Sequence, residues 1–418
     1  MSRASRAAIV LLVTALARGP MPARAAELRV WAMGREGEVL RELVPEFERA
    51  HPGVRVRVQQ IPWSAAHEKL LTAFVGGAMP DVFQVGNTWL PELVALGAID
   101  PVGDREGLRD DVFPGIADAT VVEGTAWGVP WYADTRLLFY RGDVADAAGV
   151  GAPPATWAAW QDALERVQRR GGVEHSAILL PLTEWQTPVI LALQRGSTLL
   201  REHDTRGDFE SPAVRAAFGF YVDLFRRGFA RRDAATQVTN VYQDFAAGRF
   251  TFYVTGPWNL GEFAHRLPAA LAQAWRTAPM PSPEVGEPGV SLAGGASLAV
   301  SRSSRQRELA WALVRHLGTP TAACRLYALA GDLPARRAAW HDCGLVSDPR
   351  TMAFWTQLQS VQATPKIPEW ERIATRVAHH LELAIREDVG LDEALVALDR
   401  DVDAILEKRR WLLARRPG

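Results

Sequence analysis

Four short segments of this chain set a tryptophan among small polar groups: Asn87-Thr88-Trp89, Trp131-Tyr132-Ala133-Asp134, Glu184-Trp185-Gln186 and Gly256-Pro257-Trp258-Asn259. They read as turn-like segments rather than as parts of apolar runs. An indole face flanked by amide and carboxylate groups suits a sugar ring, whose C–H face stacks while its hydroxyls take hydrogen bonds. The chain has 15 Trp against 6 Tyr. Most of these must be structural, because Trp buries a large area wherever it goes. Trp31, Trp157, Trp160, Trp311 and Trp355 fall in periodic apolar patterns and are expected in cores. Trp63 reads either as a staple for the helix that follows it or as a ligand contact, and Trp131 is left undecided as well.

Other chemistries find little support. The sequence has no Gly-x-Ser-x-Gly elbow, no Walker loop and no His-Glu-x-x-His; His67-Glu68-Lys69 lacks the second His one turn later. Gly34-Arg35-Glu36-Gly37 lacks the glycine spacing of a dinucleotide fingerprint. The pair His379-His380 points to different faces of a helix and is expected at the surface. Paired carboxylates for glycoside hydrolysis carry no weight among 48 acidic residues, since some pair always looks plausible. Cys324 and Cys343, without paired His, make no zinc site. Their spacing permits a local disulfide in an oxidising compartment, a matter that geometry decides. No metal and no cofactor are expected.

The elements that must position these groups follow from periodicity. Residues 28–33 read as a strand, 38–50 as an amphipathic helix, and 54–60 as a half-exposed strand in which Val alternates with Arg and Gln. Residues 64–76 read as a helix with Ser64 as its N-cap, and 81–85 as a continuous apolar strand. That rhythm predicts an α/β fold with a mainly parallel sheet. Further strands are expected at 137–140, 178–180, 250–254 and 298–300, and a helix at 156–169. The last hundred residues read as helices at 304–317, 320–330, 350–359, 369–386 and 391–410. The stretch 279–288 is the clearest linker, and it lies far from the middle of the chain. Two lobes with the chain crossing more than once fit better than two successive beads.

Arg3 and Arg6, the apolar stretch 7–17 and Ala23-Arg24-Ala25 form an export signal, with cleavage expected after Ala25. The apolar run is too short to span a bilayer, and no Cys follows it to take a lipid anchor. A free periplasmic protein is the expectation. Loss of four arginines with the signal takes the formal charge from −1 to −5, which makes nucleic acid a poor partner. With 48% apolar residues the mature chain can bury more than one core.

Read in order, the motifs converge. Gly-Arg-Glu-Gly-Glu (34–38) follows the first strand, and then come Phe-Glu-Arg-Ala-His-Pro-Gly-Val-Arg-Val (47–56) and Gly-Ala-Met-Pro-Asp-Val-Phe-Gln-Val-Gly-Asn-Thr-Trp (77–89). Gly128 to Arg141, Pro154-Ala-Thr-Trp157, Phe245-Ala-Ala-Gly-Arg-Phe250, Thr255-Gly-Pro-Trp258, Gly294 to Ser301 and Glu308-Leu-Ala-Trp311 complete the series. Over essentially the whole mature chain this resembles the extracellular solute-binding proteins of family 1, the maltose-binding-protein-like receptors of bacterial ABC importers. The resemblance implies a two-lobed periplasmic-binding-protein fold of type II, each lobe a mainly parallel sheet flanked by helices. It implies hinge crossings near 135–139, 280–283 and 327–332. The lobes would comprise residues 26–135 with 283–327, and 136–282 with 328–418, after a signal of residues 1–25. It implies ligand capture by lobe closure, no catalysis, and a membrane permease as partner. A monomer is expected.

Carried over by position, the resemblance nominates Arg35 and Glu36 in the loop after the first strand. It nominates Asn87, Thr88 and Trp89 after the Pro-Asp-Val segment, and Asp134 as acceptor of ligand hydroxyls with Tyr132 beside it. From the other lobe come Glu184, Trp185 and Gln186, Trp258 as stacking platform with Asn259 beside it, and Trp370 as a further aromatic wall. Gly294 and Gly295 let backbone approach the ligand closely. In the segment before Trp370 the family often has an Arg; Lys366 stands here instead and makes a point contact rather than a bidentate clamp. The expected ligand is a neutral mono- or disaccharide. The alternatives are a polyol, sugar phosphate or polyamine, and, from another class, a secreted glycoside hydrolase acting on the same kind of surface.

Overall fold

The computed structural model describes residues 26–105, 107–172, 175–232 and 240–415. The expected signal at 1–25 lies outside them.

The first strand, Ala26–Met33, buries Leu28, Val30 and Ala32 completely. It pairs in parallel with Val54–Ile61 through the helix Gly34–Ala50, whose Val39, Leu40, Leu43, Val44 and Phe47 cover the sheet. Val54–Ile61 lies at the sheet edge, so its Arg55, Arg57 and Gln59 stay in solvent, as alternation predicts. Val82–Gly86 is central and buried on both faces, and its apolar run is broken only by Gln84, whose buried amide is hydrogen-bonded. The helix Trp63–Val75 begins one residue earlier than expected. Pro62 precedes it and no side chain caps it, so Ser64 is not the N-cap.

The expected mainly parallel sheets are mixed instead. In the seven-stranded sheet only the pairings among Ala26–Met33, Val54–Ile61 and Val82–Gly86 are parallel. Gly294–Ser301 runs antiparallel to Val82–Gly86 and to Val129–Asp134, and Leu333–Pro334 antiparallel to Val129–Asp134. The second sheet orders Trp275–Ala278, Leu137–Arg141, Phe250–Thr255 and Ser176–Leu179, with one parallel pairing, between Phe250–Thr255 and Ser176–Leu179. The reason is the crossing itself. Strands that return from the other lobe enter from the far end, so they run against those built by local β-α-β units. Val129–Asp134 escaped the sequence reading because Pro130 interrupts it and the segment looks like a turn.

The chain leaves the first sheet after Asp134 and enters the second at Leu137, then returns between Ala278 and Gly294. Leu333–Pro334 still belongs to the first sheet, past the expected boundary at 327. The second core gathers Trp160, Phe218, Tyr221, Trp370 and Leu398, and the C-terminal helices Trp370–Arg386 and Leu391–Leu413 pack against it. Phe113, Phe139, Phe354 and Trp340 form a third cluster, to which the crossing strands contribute Ala133, Leu137 and Leu333. Trp157, Trp160 and Trp311 are buried as expected. Trp31 and Trp355 are only partly covered; the ammonium of Lys69 sits 5.1 Å over the Trp31 ring. His380 is also buried, against Asp401, rather than at the surface. Cys324 and Cys343 form a disulfide that ties Pro320–Ala330 to the segment after Arg337–Asp342. Among the described residues no helix is long and apolar enough to cross a membrane.

Candidate ligand-binding cleft

A cavity of about 640 Å³ is lined by segments belonging to both sheets, a size that takes a small organic ligand. Its first wall comes from helix and strand ends of the larger sheet. Arg35 and Glu36 reach it from the first turn of Gly34–Ala50; the helix starts directly after the strand, so the expected loop does not exist. Asn87, Thr88 and Trp89 form a short 3-10 turn at the end of Val82–Gly86. Tyr132 and Asp134 end the strand Val129–Asp134, beside Gly294 and Gly295. Gly295 has φ +100°, and a Cβ there would overlap the Tyr132 carbonyl, so only glycine fits.

The second wall comes from the other side. Trp185 and Gln186 sit at the start of the helix Gln186–Gln194, and Trp258 opens the helix Trp258–Arg266. Gly256 lies under the Trp258 ring, where a Cβ would collide with the indole. The ring stays 38% exposed and forms a platform.

Three nominated residues do not line the cavity. Trp370 is fully buried and meets Trp185 edge-on at 5.5 Å. It shares the apolar face of its helix with Ile373, Ala374 and Val377, and the next residue, Glu371, lines the cavity instead. Asn259 is 2% exposed and its amide donates to the Thr255 hydroxyl at 2.8 Å, because its helix turns that face inward with Leu260 and Phe263. Glu184 sits behind the wall near Arg136. Burial pushes its carboxyl up to about 7, although the Arg136 charge and a hydrogen bond from Thr187 pull the other way. Asn87 does line the cavity, but its side chain is already engaged: its amide donates to the Gly294 carbonyl at 3.1 Å and it accepts from Ser297 at 2.8 Å. It fixes the glycine pair in place.

The polar groups fall into two sets. Gln84 accepts from the Met33 amide at 2.7 Å and donates to Tyr132 and Glu36, while Tyr132 donates to Glu36 at 2.7 Å. Burial raises the Glu36 carboxyl, partly offset by hydrogen bonds from its own backbone, Tyr132, Gln84 and Trp63. In the second set, Arg136 donates to both oxygens of Asp134 at 2.8 and 2.9 Å, and its guanidinium lies 4.6 Å over the Trp258 ring. Burial raises Asp134 while Arg136 opposes it. Each cation lining the cavity is already paired: Arg35 with Glu38, Arg136 with Asp134, and Lys366 with Asp118. Among the described residues no cluster of three His, Cys, Asp or Glu is arranged to hold a metal.

Several lining residues are not among those the sequence nominates. Trp63, for which the sequence leaves staple and ligand contact both open, is 38% exposed; it meets Trp89 edge-on, and Trp89 stacks on His67. Arg136 carried a signal two positions after Asp134. Tyr242, Glu262, Asp332, Thr364 and Glu371 carried none, since each reaches the cavity only through how its element packs.

The profile of bacterial extracellular solute-binding proteins matches residues 32–323. The chain belongs to this family. Among solved structures, the sugar-binding protein MalE from the phytopathogen Xanthomonas citri is 43% identical, with TM-score 0.89, and the match covers 94% of this solute-binding chain and 100% of that one. The diacetylchitobiose-binding protein DasA of Streptomyces coelicolor is 24% identical over 83% of this chain and 81% of its own length. The galactooligosaccharide-binding protein of Bacillus subtilis is 23% identical over 84% and 83%. These solute-binding relatives span nearly the whole chain, so the two-lobed fold is common to the full length and not to one lobe.

Proposed function

We propose that this chain is the exported, periplasmic receptor of an ABC importer and that it holds a neutral mono- or disaccharide between its lobes. The observation that carries the reading is the composition of the cleft. Exposed indoles from both sides, Trp63 and Trp258, face one cavity that also presents Glu36, Asp134 and Tyr132. Stacking and hydroxyl recognition are thereby combined in a single site. The MalE, chitobiose and galactooligosaccharide receptors among its relatives support the same ligand class. A phosphate ligand is disfavoured because every lining cation is already neutralised by a carboxylate.

In this reading one lobe comprises residues 26–135 with 283–334, and the other the remainder. Ligand draws them together about the crossings, and a membrane permease reads the closed form. The site binds and releases without bond chemistry. Titration calorimetry against a panel of mono- and disaccharides should give saturable binding for at least one sugar, and a nitrophenyl-glycoside panel should release no product. A protein that responds to no sugar in the panel, or that turns over a glycoside, refutes the reading.

A further inference from the structure

Asp332 has no part in the recognition described so far, yet it lies on the cavity surface. It is 7% exposed, and its Oδ2 is out of reach of water with no hydrogen-bond donor. The antiparallel pairs Leu333 with Ala133 and Pro334 with Tyr132, continued by one residue, set Asp332 across from Asp134. Tyr132, on the same strand as Asp134, carries the hydrogen bond to Glu36. Three carboxyl groups from strand, helix and crossing segment therefore meet at one end of the cleft.

The charges around them do not balance. Asp134 alone has a cation, Arg136. Arg35 is drawn off by Glu38 and the Leu329 carbonyl. Glu262, on the helix that approaches from the other side, pairs with Arg266. Tyr132 donates its proton to Glu36 and keeps it, since burial and the neighbouring Glu36 and Asp332 push its hydroxyl well above the usual range. No metal-holding cluster exists among the described residues. Like charges facing one another across a sheet repel, and a buried carboxylate without a donor is costly. A proton relieves both, as in carboxyl pairs that share one.

We propose that Asp332 works as a neutral carboxylic acid whose O–H bridges toward Glu36, and that this held proton positions Glu36 and Asp134 as acceptors for the ligand. Asp332 is then a positioning residue. Burial first, and the charges of Glu36 and Asp134 next, also push its carboxyl well above the ordinary range. The claim about the proton stands on the free protein; the claim about ligand rests on the sugar-binding reading.

The test compares the mature protein with Asp332→Asn, whose amide N–H donates without needing a proton. Because folding raises the Asp332 value, its contribution to stability is present below the unfolded value of about 4 and is lost as pH rises through the folded one. Without ligand, the two proteins should melt together near pH ~4 and diverge above it, with the variant higher by about 2 °C or more near pH ~8. Parallel melting curves across this range overturn the proposal. If the variant does not fold, infrared spectra of wild type with ¹³C-labelled aspartate decide: a protonated carboxyl band persisting at neutral pH supports it, and its absence overturns it. The probe for the ligand half is maltose or, where maltose gives no response, a sugar of the calorimetry panel that binds. Wild-type affinity should fall at alkaline pH by up to ~10-fold per unit, and Asp332→Asn should flatten that limb. An unchanged limb in the variant overturns the positioning role. A panel in which no sugar binds refutes the sugar reading, while the melting and infrared results still decide the proton.

Discussion

Trp63 and Trp258 are equally exposed, at 38% each, and face the same cavity from opposite sides, but they are held in different ways. Trp63 leans on Trp89, which in turn stacks on His67, all within the first wall. Trp258 lies against the guanidinium of Arg136, which is bound to Asp134 at the point where the chain leaves the first sheet. One platform rests edge-on against an aromatic cluster of its own wall. The other is tied to the crossing segment by a cation that also neutralises the hydroxyl acceptor. A change in the crossing therefore reaches the Trp258 ring directly through Arg136, whereas it reaches Trp63 only through Tyr132 and Glu36. The two Trp residues share an exposure and differ in what they would report about closure.

The largest effect that sharpens the comparison comes from a Trp that is not a platform. Trp370→Ala should cost about 3–5 kcal/mol of stability by opening the second core, read by denaturant unfolding, with sugar affinity falling only through the loss of support for Trp185. A stable variant with lost binding would instead place Trp370 in the wall. Next, Trp258→Ala should weaken sugar binding by about 1–3 kcal/mol while leaving the melting temperature nearly unchanged, because the ring is partly exposed. If calorimetry shows equal affinity, the second wall does not stack on ligand and the comparison collapses. The smallest effect probes the charge behind Trp258. Burial raises Glu184 to about 7, so wild-type stability should decline as pH rises from the unfolded value of about 4.5 through 7. Glu184→Gln should flatten that slope in thermal melts, and an unaltered slope would show that Arg136 keeps the group ionised throughout.

Much of the element order was legible. Apolar periodicity located the helices Gly34–Ala50, Trp157–Gly171 and Trp370–Arg386 to within a few residues. Strand direction was not legible, because Gly294–Ser301 and Leu333–Pro334 join the first sheet from another part of the chain. The helices Gln186–Gln194 and Pro212–Arg226 went unread, the first because it is apolar on all faces and shows no period. In the cleft, the aromatic-polar segments pointed correctly to Trp89, Trp185 and Trp258 as lining residues. The same signal failed for Trp131, which is 3% exposed and absent from the lining, and Trp370, nominated by the resemblance alone, turns its face inward.

By itself the sequence determined the α/β class, the family and the supply of indoles and carboxylates, because periodicity and ordered motifs are local properties of the chain. Tertiary structure alone decided which indoles reach the cavity and which carboxyl groups meet. Periodicity tells which face of an element a residue occupies, but not whether a core or a cleft lies opposite that face. Asp332 and Glu36 are 296 positions apart, and only the packing of a crossing segment against a strand and a helix end brings their carboxyl groups to one end of the cleft.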